Sequence, residues 1–332
     1  MIRRARRAQR PLRGSGPIGV LAACAAALLS GCASLQDKQQ EATYAPTESV
    51  IEVIAVLRRH VPDDTYRFPP GRDYSGRNVY RASLLRIENL EKLHAGALRA
   101  GHLDDVLHFA KARALERLRA YDLAAEHFNK ARSNETLRED ALRGARINAA
   151  IAEAVRTGLR LSDPMAGGTA LPLDEITVVA GLDQRISILT TLLRKDLPPP
   201  YPAILREEVE RADLTRTRYF TDMRRVLPDG NLRAVGEWQR MVARHGPSKL
   251  QRRHMIESAN LYTDLAREYV LAKPPATLDF DPPLFRELVD GATHLYEAVA
   301  HQDGTPEKLE AARRLEAFLA FTLQVDSERF SQ

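Results

Sequence analysis

Arg119 to Ala131 reads RAYDLAAEHFNKA, and the reading of this stretch decides the fold. Tyr121, Ala124, Phe128 and Ala131 recur in steps of three, four and three, the period of one helix face and not of a strand. Bulky and small side chains alternate along that face. A second helix can therefore approach closely at the alanines while the rings fill the remaining space. Upstream, Ala112 and Leu115 belong to another helical stretch, 103–118, and only two residues separate it from a helix over 121–132. A connection that short sets the two helices antiparallel. The unit is a helical hairpin.

Outward from this hairpin the helical period recurs in both directions. Helices are expected at about 48–61, 78–99, 136–160, 175–195, 202–227, 231–245, 248–272, 283–301 and 306–325. The clearest stripe is Val179, Leu182, Ile186, Leu189 and Leu193, and a second runs through Tyr80, Leu84, Ile87, Leu90 and Leu93. No run of alternating residues reads convincingly as a strand. Asp281-Pro282 and Thr305-Pro306 each place a capping oxygen before a proline in the first turn. Asn134 suits the entry of a helix at Glu135, and Gly246-Pro247 suits one helix stopping and the next starting. The expected fold class is all-α, with stacked antiparallel helical hairpins forming either a solenoid or an irregular bundle. Leu161–Asp174 (LSDPMAGGTALPLD) reads as a linker between a domain over 47–160 and a C-terminal helical domain over 175–332.

The segment Asp105–Arg138 resembles one tetratricopeptide repeat, a helix–turn–helix unit of about 34 residues. Ala112, Leu115, Tyr121, Ala124, Phe128 and Ala131 fall at the positions where that repeat keeps its packing residues. The chain departs from the pattern at His108 and Lys111, where large apolar residues are usual, and at Thr136, where proline is common. No second clean copy follows, although 231–272 and 283–325 have the same helix-pair layout. The resemblance implies stacked neighbours, because one repeat cannot bury its own face. It also implies binding of peptides or protein segments, with no catalysis.

The N-terminus carries an address. Residues 1–31 hold six arginines (Arg3, Arg4, Arg6, Arg7, Arg10, Arg13) and no acid, followed by the small apolar run Pro17–Leu29. This is the layout of a secretory signal, with an apolar part too short to span a bilayer. Leu29-Ser30-Gly31-Cys32 resembles the lipobox of bacterial lipoproteins; Leu21-Ala22-Ala23-Cys24 also fits, with a shorter apolar segment before it. The resemblance implies signal-peptidase recognition through Leu29, Ser30 and Gly31, and lipidation at Cys32. Residues 32–46 then serve as the lipidated N-terminus and tether. Two or three acyl chains at about 0.8 kcal/mol per buried methylene anchor a protein far more firmly than one. Ala33, where an inner-membrane lipoprotein of enteric bacteria would have Asp, implies an outer-membrane address facing the periplasm.

Removing this leader changes the charge argument. The whole chain has 49 basic and 44 acidic residues and a net charge of +5, with a pI near 9.2. Without the six arginines, 43 basic residues face 44 acidic ones, so no nucleic-acid partner is expected. With Cys24 lost in the leader and Cys32 lipidated, the mature protein has no free thiol for disulfides, thiolate chemistry or cysteine-ligated metal.

Motifs that carry chemistry are sparse in this chain. His294, Glu297 and His301 share a helix face but gain no further ligand from the sequence, and Glu91-Lys92-Leu93-His94 has no second Glu-x-x-His. His102, Asp104, Asp105 and His108 straddle a helix start without sharing a face and read as a solvated N-terminus, where the helix dipole favours acids. Metal and cofactors are therefore expected to be absent. The chain contains no Gly-x-x-x-x-Gly-Lys and no Gly-x-Ser-x-Gly. Glu257-Ser258 matches two letters of the lytic transglycosylase signature, yet the Gly-x-x-Gln segment expected downstream in that family is absent. The protein is expected not to be an enzyme. The most unusual composition is YRFPPGRDYSGRNVY at 66–80, where Tyr66, Arg67, Phe68, Arg72, Tyr74 and Arg77 interleave rings and guanidinium groups. Such a set suits either partner recognition or the pinning of a long loop onto the helices. Together these readings describe a lipid-anchored periplasmic scaffold for an unidentified envelope protein or peptide. The alternative is a small-molecule-binding accessory lipoprotein of a transport system.

Overall fold

The computed structural model describes residues 46–60, 78–158 and 175–330, and among these residues the chain forms helices and turns with no strand. The helices are α1 (Pro46–His60), α2 (Val79–Ala100), α3 (Asp104–Arg117), α4 (Tyr121–Lys130) and α5 (Arg138–Arg156). They continue as α6 (Glu175–Leu193), α7 (Tyr201–Met223), α8 (Gly230–Arg244), α9 (Gln251–Ala272), α10 (Pro282–Ala300) and α11 (Pro306–Phe330). The expected linker 161–174, the leader and the loop before Asn78 lie outside the described residues.

Local chemistry explains most of the boundaries. The Asn78 carboxamide accepts hydrogen bonds from the Tyr80 and Arg81 amides at 3.0 Å and starts α2. Asp281 accepts from the Leu284 amide at 3.3 Å, with Pro282 in the first turn of α10. Other ends differ from the sequence reading. Ala131–Ser133 tightens into a 3-10 turn. Asn134 accepts from the Thr136 and Leu137 amides at 3.0 and 3.2 Å. Its oxygen thus caps a turn, and α5 enters at Arg138 instead of Glu135. The Thr305 hydroxyl donates to the Gln302 carbonyl at 3.3 Å, and α11 starts at Pro306, where the sequence places it. Ser248 accepts from the Leu250 amide at 3.0 Å, so α9 starts three residues later than expected.

Helices adjacent in sequence pack against one another, and the core advances in overlapping steps. Val50, Val53 and Leu57 of α1 meet Tyr80 and Ile87 of α2 and Leu107 of α3. Ala112 of α3 meets Phe128 of α4 and Ala141 and Ala145 of α5. Tyr121 and Ile151 then join Leu189 of α6 and Leu205 of α7, so residues on both sides of 161–174 share one core. Trp238 and Met241 of α8 pack with Leu261 of α9, and α9, α10 and α11 close the stack around Phe285, Tyr296 and Phe318. The architecture is a stack of neighbouring helical pairs.

Two glycines permit close approaches. A Cβ on Gly144 would stand 2.9 Å from the Phe128 ring, and Phe128 is itself fully buried. Gly158 has φ +75° and would meet the Gly181 backbone at 2.8 Å, which lets α6 lie against the end of α5. Helix α6 is long and apolar enough to cross a membrane. Here, however, its Leu182, Ile186 and Leu189 face the core, and its Arg185 donates to the Thr157 carbonyl at 2.7 Å.

Helix α7 carries buried carboxylates on opposite flanks. Glu208 receives Arg119 Nε and Nη2 at 2.7 and 2.9 Å, the Tyr121 hydroxyl at 2.8 Å and Arg211 Nη1 at 2.6 Å. Asp213 receives Arg240 Nη1 at 2.9 Å, Arg244 Nη1 at 3.0 Å and His245 Nε2 at 2.9 Å. Glu210 receives His254 Nε2 at 2.7 Å and the Ser248 hydroxyl at 2.5 Å. Burial opposes ionisation of all three, but their donors win and hold each carboxyl below its ordinary range.

Asp213→Ala should therefore destabilise the protein by roughly 2–5 kcal/mol, because it strands cations already drawn out of water. The lower part of that range applies because Arg240 and Arg244 keep about a third of their side chains exposed. Urea unfolding should show a lower midpoint with an unchanged slope.

Candidate functional site

Three stretches distant in sequence converge on Arg113. The helical spacing of α3 places Phe109, Arg113 and Glu116 on one side, while α4 contributes Phe128 and the start of α7 contributes Tyr201. Arg113 Nη1 donates to Glu116 at 2.9 Å and to the Tyr201 hydroxyl at 3.1 Å. Its guanidinium carbon lies 5.1, 5.3 and 5.5 Å from the ring centres of Phe109, Phe128 and Tyr201. Cation–π attraction at such distances strengthens as water is excluded. Glu116, fully enclosed, also accepts from Asn148 of α5 at 3.0 Å. Burial lifts its carboxyl above the usual range, against the pull of Arg113 and Asn148. Arg113 thus ties together the inner sides of α3, α4 and α7.

Above this hub opens a groove with a cavity of about 460 Å³. Its walls are Ile54, Leu57 and Arg58 of α1 and Val106, Phe109, Ala110 and Arg113 of α3. Asn134, Thr136 and Leu137 from the turn before α5, with Pro199 and Pro200 before α7, complete it. Apolar surface dominates, and among the described residues the charged side chains at the lining are Arg58 and Arg113. Volume and lining match the small-ligand range of about 300–1,000 Å³.

A second cluster lies on the same hairpin. His108 of α3 and His127 of α4 face each other with Nδ1 atoms 3.1 Å apart and ring centres 5.2 Å apart. One imidazole donates and the other accepts. Burial lowers the pKa of both, His127 to about 4, and Lys111 and Lys130 add to the effect against Glu91, Asp104 and Glu126. His108 is therefore not part of a solvated helix N-terminus, as its sequence neighbours suggested, but a half-buried partner of the next helix.

The residues singled out from sequence fall into three groups. Ala112, Leu115, Tyr121, Ala124, Phe128 and Ala131 are all buried between α3, α4 and their neighbours. Leu29, Ser30, Gly31 and Cys32, and the loop residues Tyr66, Arg67, Phe68, Arg72, Tyr74 and Arg77, lie outside the described residues. His294, Glu297 and His301 are exposed at the end of α10, with His301 Nδ1 2.7 Å from the Glu297 carbonyl. Glu257 is paired with Arg253 at 2.9 Å and Ser258 is buried. Glu91 forms an ion pair with Lys111, at the position where the sequence has Lys in place of an apolar residue. Among the described residues no three His, Cys, Asp or Glu side chains are grouped to hold a metal ion.

Sequence reasoning missed Arg113, the groove walls and the His108–His127 pair. One signal was available: Arg113 and Glu116 sit within an otherwise alanine- and leucine-rich helix face, where a charge has to find a partner. The chain matches no protein-family model, no curated protein and no solved structure.

Two predictions follow from this geometry. Arg113→Met should destabilise the fold by about 2–4 kcal/mol, since it leaves Glu116 buried beside Asn148 alone. Adding Glu116→Gln should restore part of that loss, read as a non-additive double-mutant cycle in chemical denaturation. The histidine pair predicts an acid dependence. Between the unfolded imidazole value near 6.5 and the folded His127 value of about 4, the unfolded chain binds the extra proton. Stability should thus be level above pH 6.5 and fall as pH drops toward 4. His127→Gln should show a shallower fall over that window in urea midpoints.

Proposed function

We propose that this chain is a lipid-anchored, periplasm-facing helical scaffold that binds a protein or peptide partner in envelope assembly or transport. The observation that carries the reading is the groove beside Arg113: an apolar cleft between helix pairs whose lining, among the described residues, carries two guanidinium groups and no carboxylate. Such a cleft favours an amphipathic segment that brings apolar side chains for Leu57, Phe109 and Leu137 and an acidic group for Arg58. Tetratricopeptide-like packing residues at Ala112–Ala131 support a scaffold. The lipobox-like Leu29-Ser30-Gly31-Cys32 supports an anchor and an outer-membrane address. A tether to the membrane raises the effective concentration of the scaffold near membrane partners.

A second reading rests on the cavity's size. A volume of about 460 Å³ suits a small amphipathic metabolite handed to a transport system.

The two readings separate experimentally. With a photoreactive residue at Val106, the scaffold reading predicts crosslinks to a discrete envelope protein in intact cells, weakened several-fold by Arg58→Glu. The metabolite reading predicts no protein crosslink and a thermal shift with a small carboxylate. Anchoring is checked by labelled palmitate. Incorporation should vanish in Cys32→Ser, together with membrane sedimentation, and an unlabelled wild type would remove the anchor from the proposal.

A further inference from the structure

The His108–His127 pair has no part in the groove, and its geometry points beyond hairpin packing. The two Nδ1 atoms lie 3.1 Å apart across α3 and α4. Two nitrogen ligands of a tetrahedral ion with bonds of about 2.0–2.1 Å stand about 3.3 Å apart, almost the separation already present. The rings are inclined at 46° with centres 5.2 Å apart, so the two nitrogens lie close to the line between the centres, and rotation about the Cβ–Cγ bonds is what would turn their lone pairs onto a shared ion. Both side chains are half-buried, which fixes them on two helices while leaving access from solvent.

We infer that His108 and His127 form a two-imidazole site for a divalent transition ion of the zinc class, with solvent completing the coordination shell. The chemistry balances simply. The proton on the donating Nδ1 moves through solvent to Nε2 of the same ring, so both rings stay neutral and the ion takes its place between two free Nδ1 lone pairs.

The surroundings permit the added charge. Lys111 is paired with Glu91 and Lys130 with Glu126, which leaves the Asp104 carboxylate as the uncompensated charge acting on His108. Lowered imidazole pKa values add that proton competition is small at neutral pH. Borderline ions favour imidazole, whereas magnesium favours oxygen ligands and keeps its waters. The hairpin would then be clamped by metal at the place where the sequence puts histidine instead of a large apolar residue.

Calorimetric titration of the full chain with zinc chloride at pH 7.5 tests the assignment. The expected result is a saturable event that His108→Gln and His127→Gln each weaken by roughly tenfold or more, since loss of even an indirect supporting group costs that much. Repeating it in buffers of different ionisation enthalpy should show close to no net proton release from the two neutral rings, and magnesium should give no such event. Zinc-dependent shifts of the two imidazole ¹⁵N resonances in the unsubstituted chain keep the test independent of how either variant folds. Superimposable isotherms for the wild type and both variants, or no zinc-dependent change at these two rings, would overturn it.

Discussion

Carboxylates held out of water on α7 are the constraint around which the other helices are arranged. A buried charge costs several kcal/mol unless donors surround it, and no single neighbouring helix surrounds Glu208. Its donors come from Arg119 and Tyr121 at the α3–α4 corner and from Arg211 on α7 itself. Asp213 and Glu210 face the other way and draw donors from α8, the turn after it and α9. Helix α7 is thereby fixed to hairpins on both sides. Apolar packing alone would tolerate sliding of one helix pair over the next, whereas forked guanidinium contacts have one geometry.

The groove is a consequence of that arrangement. Once Glu208 draws α7 against the end of α3, Tyr201 at the start of α7 reaches Arg113. Pro199 and Pro200 then form one wall opposite α1. The cleft is therefore assembled by contacts between residues some ninety positions apart. It is not a property of any one hairpin. Its floor is rigid because Arg113 is enclosed by three rings and a carboxylate, and its rim at Arg58 is free to meet solvent. A rigid floor with an adaptable polar rim suits recognition.

The helices were legible because each carries its own signal. The 175–195 stripe places Leu182, Ile186 and Leu189 toward the core, and Asp281-Pro282 starts α10 where a capping oxygen and a proline predict it. The starts that shifted, after Asn134 and at Ser248, are places where a side-chain oxygen closes a local turn just before the helix, a competition that periodicity does not show. The candidate site was far less legible. His108 stood out as a departure from the repeat-like pattern, but its partner His127 could be named only once α3 and α4 were placed in register. Glu208 lies three and four residues from the buried Leu205 and Ala212, a pattern that marks a buried charge without naming its donors.

Sequence by itself determined the all-α class, the positions of the helices and the antiparallel pairing of close neighbours, because periodicity, caps and short connections act over a few residues. The tertiary structure alone decided which charges meet, where the cleft opens and which two imidazoles face each other. Those outcomes depend on the relative rotation of helices far apart in the chain, and the hydrophobic stripe of a single helix is too broad to fix that rotation.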